Sequence, residues 1–134
     1  MVQVELSKII IDEKRQDQII VLKEKDGDRQ FPIVIGFLEA SSIKMKLSGV
    51  EPPRPMTHDL LVSVIEELGA TLHQVIIDKM VNNTFHAKLE VRFKNGKKKI
   101  IDTRPSDGIA LAVRTNAAIF VDDDVLNKAA IFNA

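Results

Sequence analysis

From Thr84 to Phe93 the chain alternates without a break. Phe85, Ala87, Leu89, Val91 and Phe93 fall on one side, and Thr84, His86, Lys88, Glu90 and Arg92 on the other. Successive side chains of a strand point to opposite faces, so this segment belongs to a sheet with one face on a core and the other in water. Asn82-Asn83 ahead of it tolerate positive φ, which predicts a hairpin with a strand over 71–81. Lys94-Asn95-Gly96 turns the chain into a further strand over 97–102. Nearer the N-terminus, Val2, Val4 and Leu6 alternate, Ile19-Ile20-Val21-Leu22 forms an apolar run, and Asp26-Gly27-Asp28 is a turn before Phe31-Pro32-Ile33-Val34-Ile35. Pro32 cannot donate to a ladder, which suggests an edge position or a strand start.

Helical spacing appears between these strands. Ala40, Ile43 and Leu47 recur within 37–48, with Gly49 as C-cap. Pro52, Pro53 and Pro55 then exclude a helix. Thr57 reads as the next N-cap, with Met56 and Leu61 at the spacing of a hydrophobic staple. Leu60, Leu61, Val64, Ile65 and Leu68 read as the buried stripe of a helix ended by Gly69. A helix over 106–115, a short strand Ala118-Ile119-Phe120-Val121 and a helical piece near 123–130 follow. Strands and helices are interspersed without regular βαβ alternation. The expectation is a single α+β domain over 1–134, with a mixed or mainly antiparallel sheet and three to four helices.

Several function classes are excluded. Without cysteine there is no disulfide, thiolate metal site or cysteine nucleophile. No apolar run approaches the roughly 20 residues of a membrane span. The first residues alternate like a strand and lack the basic-then-apolar form of a signal peptide, so the expected compartment is the cytoplasm, with no membrane contact. Tryptophan and tyrosine are absent, which argues against a base-stacking surface. There is no Walker loop, no G-x-G-x-x-G and no G-x-S-x-G, so ATP hydrolysis, nicotinamide chemistry and α/β-hydrolase chemistry have no support.

Nineteen basic and nineteen acidic residues give zero net charge, which excludes a basic nucleic-acid arm. The distribution is uneven. Residues 88–104 carry seven basic and two acidic side chains, a local excess of +5. This hairpin, with Lys97-Lys98-Lys99 at its turn, either attracts the phosphates of DNA or RNA or guards an edge strand against aggregation.

Two segments resemble one another: Arg54-Pro55-Met56-Thr57-His58-Asp59 and Arg104-Pro105-Ser106-Asp107. Each places an Arg-Pro pair ahead of a helix, with a hydroxyl residue and an aspartate in its opening turn. A helix start offers unpaired N–H groups and partial positive charge, and a guanidinium beside it can grip a phosphate or carboxylate. If the two starts meet, Arg54, Thr57, His58, Asp59, Arg104, Ser106 and Asp107 would surround an anion-binding cleft. Alternatively, the same groups cap the helices and tie Arg104 to Asp107 or Asp59. His58 is the candidate general acid or base, because a free imidazole changes charge near neutrality. His86 sits on a solvated strand face. Asp102 and Asp107 are weak candidates to share a magnesium ion. Asp122-Asp123-Asp124 is read as capping the last helix rather than binding metal.

The same residues carry a family resemblance. Pro32-Ile33-Val34-Ile35-Gly36, Glu39-Ala40 with Ile43, Pro53-Arg54-Pro55-Met56-Thr57-His58-Asp59-Leu60-Leu61, Thr84-Phe85-His86-Ala87, and Asp102-Thr103-Arg104-Pro105-Ser106-Asp107-Gly108-Ile109-Ala110-Leu111-Ala112-Val113-Arg114 resemble the bifunctional nuclease domain family in order and spacing, from about residue 5 to residue 130. The resemblance implies an α+β domain that self-associates as a dimer or trimer and a nuclease acting on DNA and RNA. It implies shared polar residues at Glu39, Arg54, Thr57, His58, Asp59, Asp102, Arg104, Ser106 and Asp107. His86 stands where the family usually has tyrosine, and Gly108 where it usually has alanine. Catalytic roles then fall to His58, Asp59, Arg104 and Asp107, with Arg54, Thr57, Ser106 and Lys97-Lys98-Lys99 holding substrate. The alternatives are a non-catalytic assembly module built on a polar network, and a small-anion or nucleotide-binding domain.

Overall fold

The computed structural model describes residues 1–130. Their elements run β1 (Val2–Ile10), β2 (Asp17–Glu24), β3 (Gln30–Gly36), α1 (Phe37–Leu47), α2 (Thr57–Glu67), β4 (Ala70–Val81), β5 (Thr84–Phe93), β6 (Lys98–Thr103), α3 (Pro105–Thr115), β7 (Ala118–Val121) and α4 (Asp123–Ala129). The domain is α+β, as expected. No helix among the described residues is long and apolar enough to cross a membrane.

One seven-stranded sheet has the order β3-β2-β1-β7-β4-β5-β6. Two antiparallel meanders, β1-β2-β3 and β4-β5-β6, are joined by β7, which pairs antiparallel with β1 and parallel with β4. The sheet is therefore mixed through a single parallel pair. Pro32 lies in the edge strand β3, in register with Val21, the kind of position where a proline is tolerated in a sheet. The sheet also curls. Phe31 of β3 and Phe85 of β5 pack with ring centroids 5.6 Å apart and their planes tilted by 42°. Five strand spacings in a flat sheet would separate those strands by about 24 Å.

Helix α3 is the buried helix, with Ile109, Ala110, Leu111 and Ala112 all buried, β4 and β5 against it and both α1 and α2 packed on it. At Gly108 an added Cβ would lie 2.9 Å from Val75 Cγ1 and 3.4 Å from Thr103 Cγ2. Glycine here costs about 1 kcal/mol of helix propensity, but it lets the helix start approach the sheet this closely.

Three local expectations are corrected. Met56, not Thr57, is the N-cap of α2, so the proposed Met56–Leu61 staple is out of register, and both side chains are exposed. Gly49 is the left-handed residue just beyond the C-cap Ser48, with Gly49 N–H donating to the Lys46 carbonyl and Val50 N–H to the Met45 carbonyl. The expected buried stripe of α2 is largely exposed: Leu60 is 57% exposed, Leu61 41%, Val64 45% and Leu68 69%. The face that packs inward is His58, Val62 and Ile65, at helical spacing.

Candidate active site

Sheet and helices bring the starts of α2 and α3 together. His58 is the second residue of α2 and Asp107 the third of α3, and His58 Nε2 lies 2.9 Å from Asp107 Oδ1. Asp107 Oδ2 accepts from Arg104 Nε at 2.9 Å, and Arg104 Nη2 donates to Glu39 Oε1 at 2.9 Å. On the other side of the imidazole, His58 Nδ1 lies 2.7 Å from Ser42 Oγ of α1. Arg114 continues the chain of contacts. Its Nη2 donates to Ser42 Oγ at 2.9 Å and its Nε to Asp59 Oδ1 at 2.7 Å, while Asp59 Oδ2 accepts from the Met56 N–H at 2.9 Å. The result is a continuous polar path, Glu39–Arg104–Asp107–His58–Ser42–Arg114–Asp59.

The electrostatics follow from these contacts. Burial works to raise the Asp107 carboxyl, but hydrogen bonds from Arg104 and His58 outweigh it and hold the group below the ordinary aspartate range. The hydrogen bond from Arg114, reinforced by the Met56 N–H, lowers Asp59. Arg104 is raised by the Asp107 hydrogen bond and charge. Beside the path is a cavity of about 310 Å³ lined by residues including Glu39, Ser42, Met45, Thr57, His58, Arg104 and Asp107.

Not every expected residue joins. Arg54 lies in an exposed loop and makes no side-chain hydrogen bond or ion pair among the described residues. The two Arg-Pro segments differ in register. Asp59 and Asp107 are both third residues of their helices, but Arg104 is the N-cap of α3 while Arg54 lies two residues ahead of the α2 N-cap. Arg104 therefore reaches back to its own helix and Arg54 does not. Thr57 lines the cavity, whereas Ser106 is buried and caps nothing. Asp102 and Asp107 do not share a site. Asp102 pairs with Lys88 at 3.0 Å on the sheet face opposite Leu89 and Thr103, the residues that approach α3. Among the described residues no group of three or more His, Asp or Glu side chains is placed to hold a metal ion.

The basic hairpin is largely neutralised. Lys88 pairs with Asp78 and Asp102, Arg92 and Lys98 with Glu90, and Arg104 with Glu39 and Asp107. Lys94, Lys97 and Lys99 remain without ion-pair partners among the described residues. They sit toward the far end of β6 from Arg104, about 20 Å along the strand. Asp122 caps α4 as expected, accepting from the Asp124 N–H at 2.9 Å.

Arg114 and Ser42 were not among the sequence candidates for the site. The signal for Arg114 was its place directly after the apolar run Ile109-Ala110-Leu111-Ala112-Val113, since a cation on a buried helix requires partners. Ser42 had no comparable signal.

A model of the bifunctional nuclease domain matches residues 20–134. The chain is 38% identical over 131 residues to an uncharacterised protein of Mycobacterium tuberculosis, a match spanning 98% of this chain and 77% of that protein. It is also similar, at 26% identity over 106 residues, to Bifunctional nuclease 1 of Arabidopsis thaliana, where the match covers 77% of this chain and 33% of the plant protein. The chain belongs to the bifunctional nuclease domain family.

Proposed function

We propose that the chain hydrolyses phosphodiester bonds in DNA and RNA where the starts of α2 and α3 meet. The observation that carries this reading is the setting of Arg104. Its Nε and Nη2 are held by Asp107 and Glu39, yet the side chain is 66% exposed at the cavity edge. Nη1 has no partner among the described residues. A guanidinium fixed in this way presents preorganised N–H donors to phosphoryl oxygens. His58 supplies an imidazole for proton transfer. The first N–H groups of α2 add partial positive charge. Lys94, Lys97 and Lys99 would hold more distant phosphates without reading base sequence. Membership of the family, and the name of the plant relative, support the same reaction class.

The test is hydrolysis of single- and double-stranded DNA and of RNA, each with and without magnesium. Arg104→Ala is expected to lower kcat by about 100-fold or more, the scale of losing one preorganised donor to a transition state. A wild-type rate retained by Arg104→Ala with Asp107→Ala would place the chemistry elsewhere.

The exposed stripe of α2 favours a second reading, an assembly role that is compatible with the first. Leu60, Leu61, Val64 and Leu68, with Leu38 of α1 at 79% exposure, leave these two helices apolar on their outer faces. The last turn of α1 carries Lys44 and Lys46, and the end of α2 carries Glu66 and Glu67; none forms an ion pair among the described residues. A second copy related by a two-fold axis would set α1 of one protomer against α2 of the other, matching these charges over an apolar centre. Sedimentation or light scattering is expected to give twice the 15.0 kDa chain mass, reduced to the monomer by Leu61→Glu with Val64→Glu. A monomeric wild type at micromolar concentration would overturn this.

A further inference from the structure

Hydrogen-bond accounting around His58 identifies the group on which it acts. Ser42 Oγ has one hydrogen and two lone pairs, and Arg114 Nη2, which can only donate, occupies one lone pair at 2.9 Å. Asp107 is an ionised carboxylate held by Arg104, and an ionised carboxylate only accepts. The 2.9 Å contact with Asp107 therefore places the hydrogen of a neutral imidazole on His58 Nε2. In that neutral ring Nδ1 is a bare acceptor, and Ser42 donates its hydroxyl hydrogen across the 2.7 Å contact. Among the described residues, the one proton that Nδ1 can take is the proton of Ser42.

Hydroxyl, imidazole and carboxylate thus stand in the order of a hydrolytic triad, with the two ring nitrogens exchanged relative to the usual arrangement. Arg114 strengthens it, because a guanidinium bonded to Oγ stabilises negative charge as the proton leaves. Ser42 also lines the cavity beside Arg104 and Thr57. We infer that Ser42, rather than a water molecule, is the nucleophile in the first step of phosphodiester cleavage. This inference rests on the nuclease reading above for its substrate, and on geometry alone for the reactive hydroxyl. Ser42 Oγ forms a bond to phosphorus while its proton passes to His58 Nδ1. The bond from phosphorus to the leaving oxygen breaks, and that oxygen takes the proton from Nδ1. Water then attacks the phosphoseryl ester and gives a proton to Nδ1. The bond from phosphorus to Oγ breaks, and Ser42 recovers its hydrogen.

Three measurements test this. A fluorophosphonate probe, whose phosphorus is attacked by an activated serine with loss of fluoride, is expected to phosphonylate Ser42 in the folded chain. Labelling should disappear in Ser42→Ala, persist in Ser41→Ala, and slow about tenfold or more in Asp107→Asn. An oligonucleotide labelled at its internal phosphates and quenched in denaturant should leave label on the wild-type chain and none on Ser42→Ala. Nitrogen NMR of the wild-type chain, which needs no variant to fold, should find the neutral form of His58 as the Nε2–H tautomer. Absence of Ser42 labelling, full hydrolysis by folded Ser42→Ala, or an Nδ1–H tautomer would each overturn the assignment. Labelling of Ser42 with no hydrolysis of any nucleic acid would keep Ser42 as a reactive nucleophile and overturn the nuclease reading instead.

Discussion

Arg114→Ala is expected to lower folding stability by about 3 kcal/mol, the lower end of the cost of breaking a buried ion pair. The Arg114 side chain is 6% exposed and donates in three directions: to Asp59, to Ser42 and to the Ala110 carbonyl. Truncation leaves Asp59 without its cation and Ser42 without a donor. The loss stays at the low end because Asp59 is 32% exposed and keeps the Met56 N–H. Arg114→Lys should recover little, since one ammonium cannot reproduce a planar fork reaching three acceptors. The pH dependence has a definite sign. A carboxyl whose folded pKa is depressed contributes stability above its ordinary value and loses it as pH falls through the folded value. Asp59 and Asp107 are both lowered from 3.8, so wild-type stability should fall below about pH 4. With Arg114 gone the Asp59 contribution shrinks, and the fall should be shallower. Urea midpoints measured from pH 7 to pH 3 read both effects. A loss below about 1 kcal/mol at neutral pH would show that the path is not a structural tie.

How legible this site was in the sequence varies by element. The β5 alternation placed Ala87, Leu89 and Val91 in the core correctly because strand period is local. It also put Glu90 on the solvated face, where the folded chain buries it beneath Arg92, Lys98 and His73. Those partners arrive from three strands, so no single segment could announce them. Helix α2 misled for a different reason. Its outward stripe is more hydrophobic than its inward one, because the inward face begins with His58, a polar group affordable in the interior only when both ring nitrogens are bonded. Amphipathic periodicity measures which face is apolar, not which face is covered, and α2 separates the two. The excess charge of the hairpin is smaller in space than in sequence, since Asp78, Glu39 and Asp107 come from outside the strands that carry it and leave the excess to Lys94, Lys97 and Lys99. The meeting of the helix starts was legible as a possibility. What settled which members join was the two-residue offset in N-cap register, a backbone detail beneath the resolution of the motif.

The curl of the sheet offers the largest single effect. Phe31→Ala is expected to cost about 4 kcal/mol, within the range for emptying a core phenylalanine site. Phe31 is fully buried, so truncation removes the ring and leaves a cavity between β3 and β5 that two covalently distant strands must collapse to fill. Phe85→Ala should cost less, because that side chain is only partly buried. A double-mutant cycle isolates the ring pair, whose coupling should be about 0.5–1.5 kcal/mol. The consequence reaches the site through the chain itself. β3 ends at Gly36, the N-cap of α1, and α1 carries Glu39 and Ser42. An edge strand released from β5 loosens the helix that supplies the Arg104 anchor and the His58 partner. Hydrogen exchange in the first turns of α1 should therefore accelerate in Phe31→Ala more than exchange in α3, which is held by β4 and β5 directly. Equal acceleration in both helices would mean that the domain opens as one unit and that the curl gives the site no separate support.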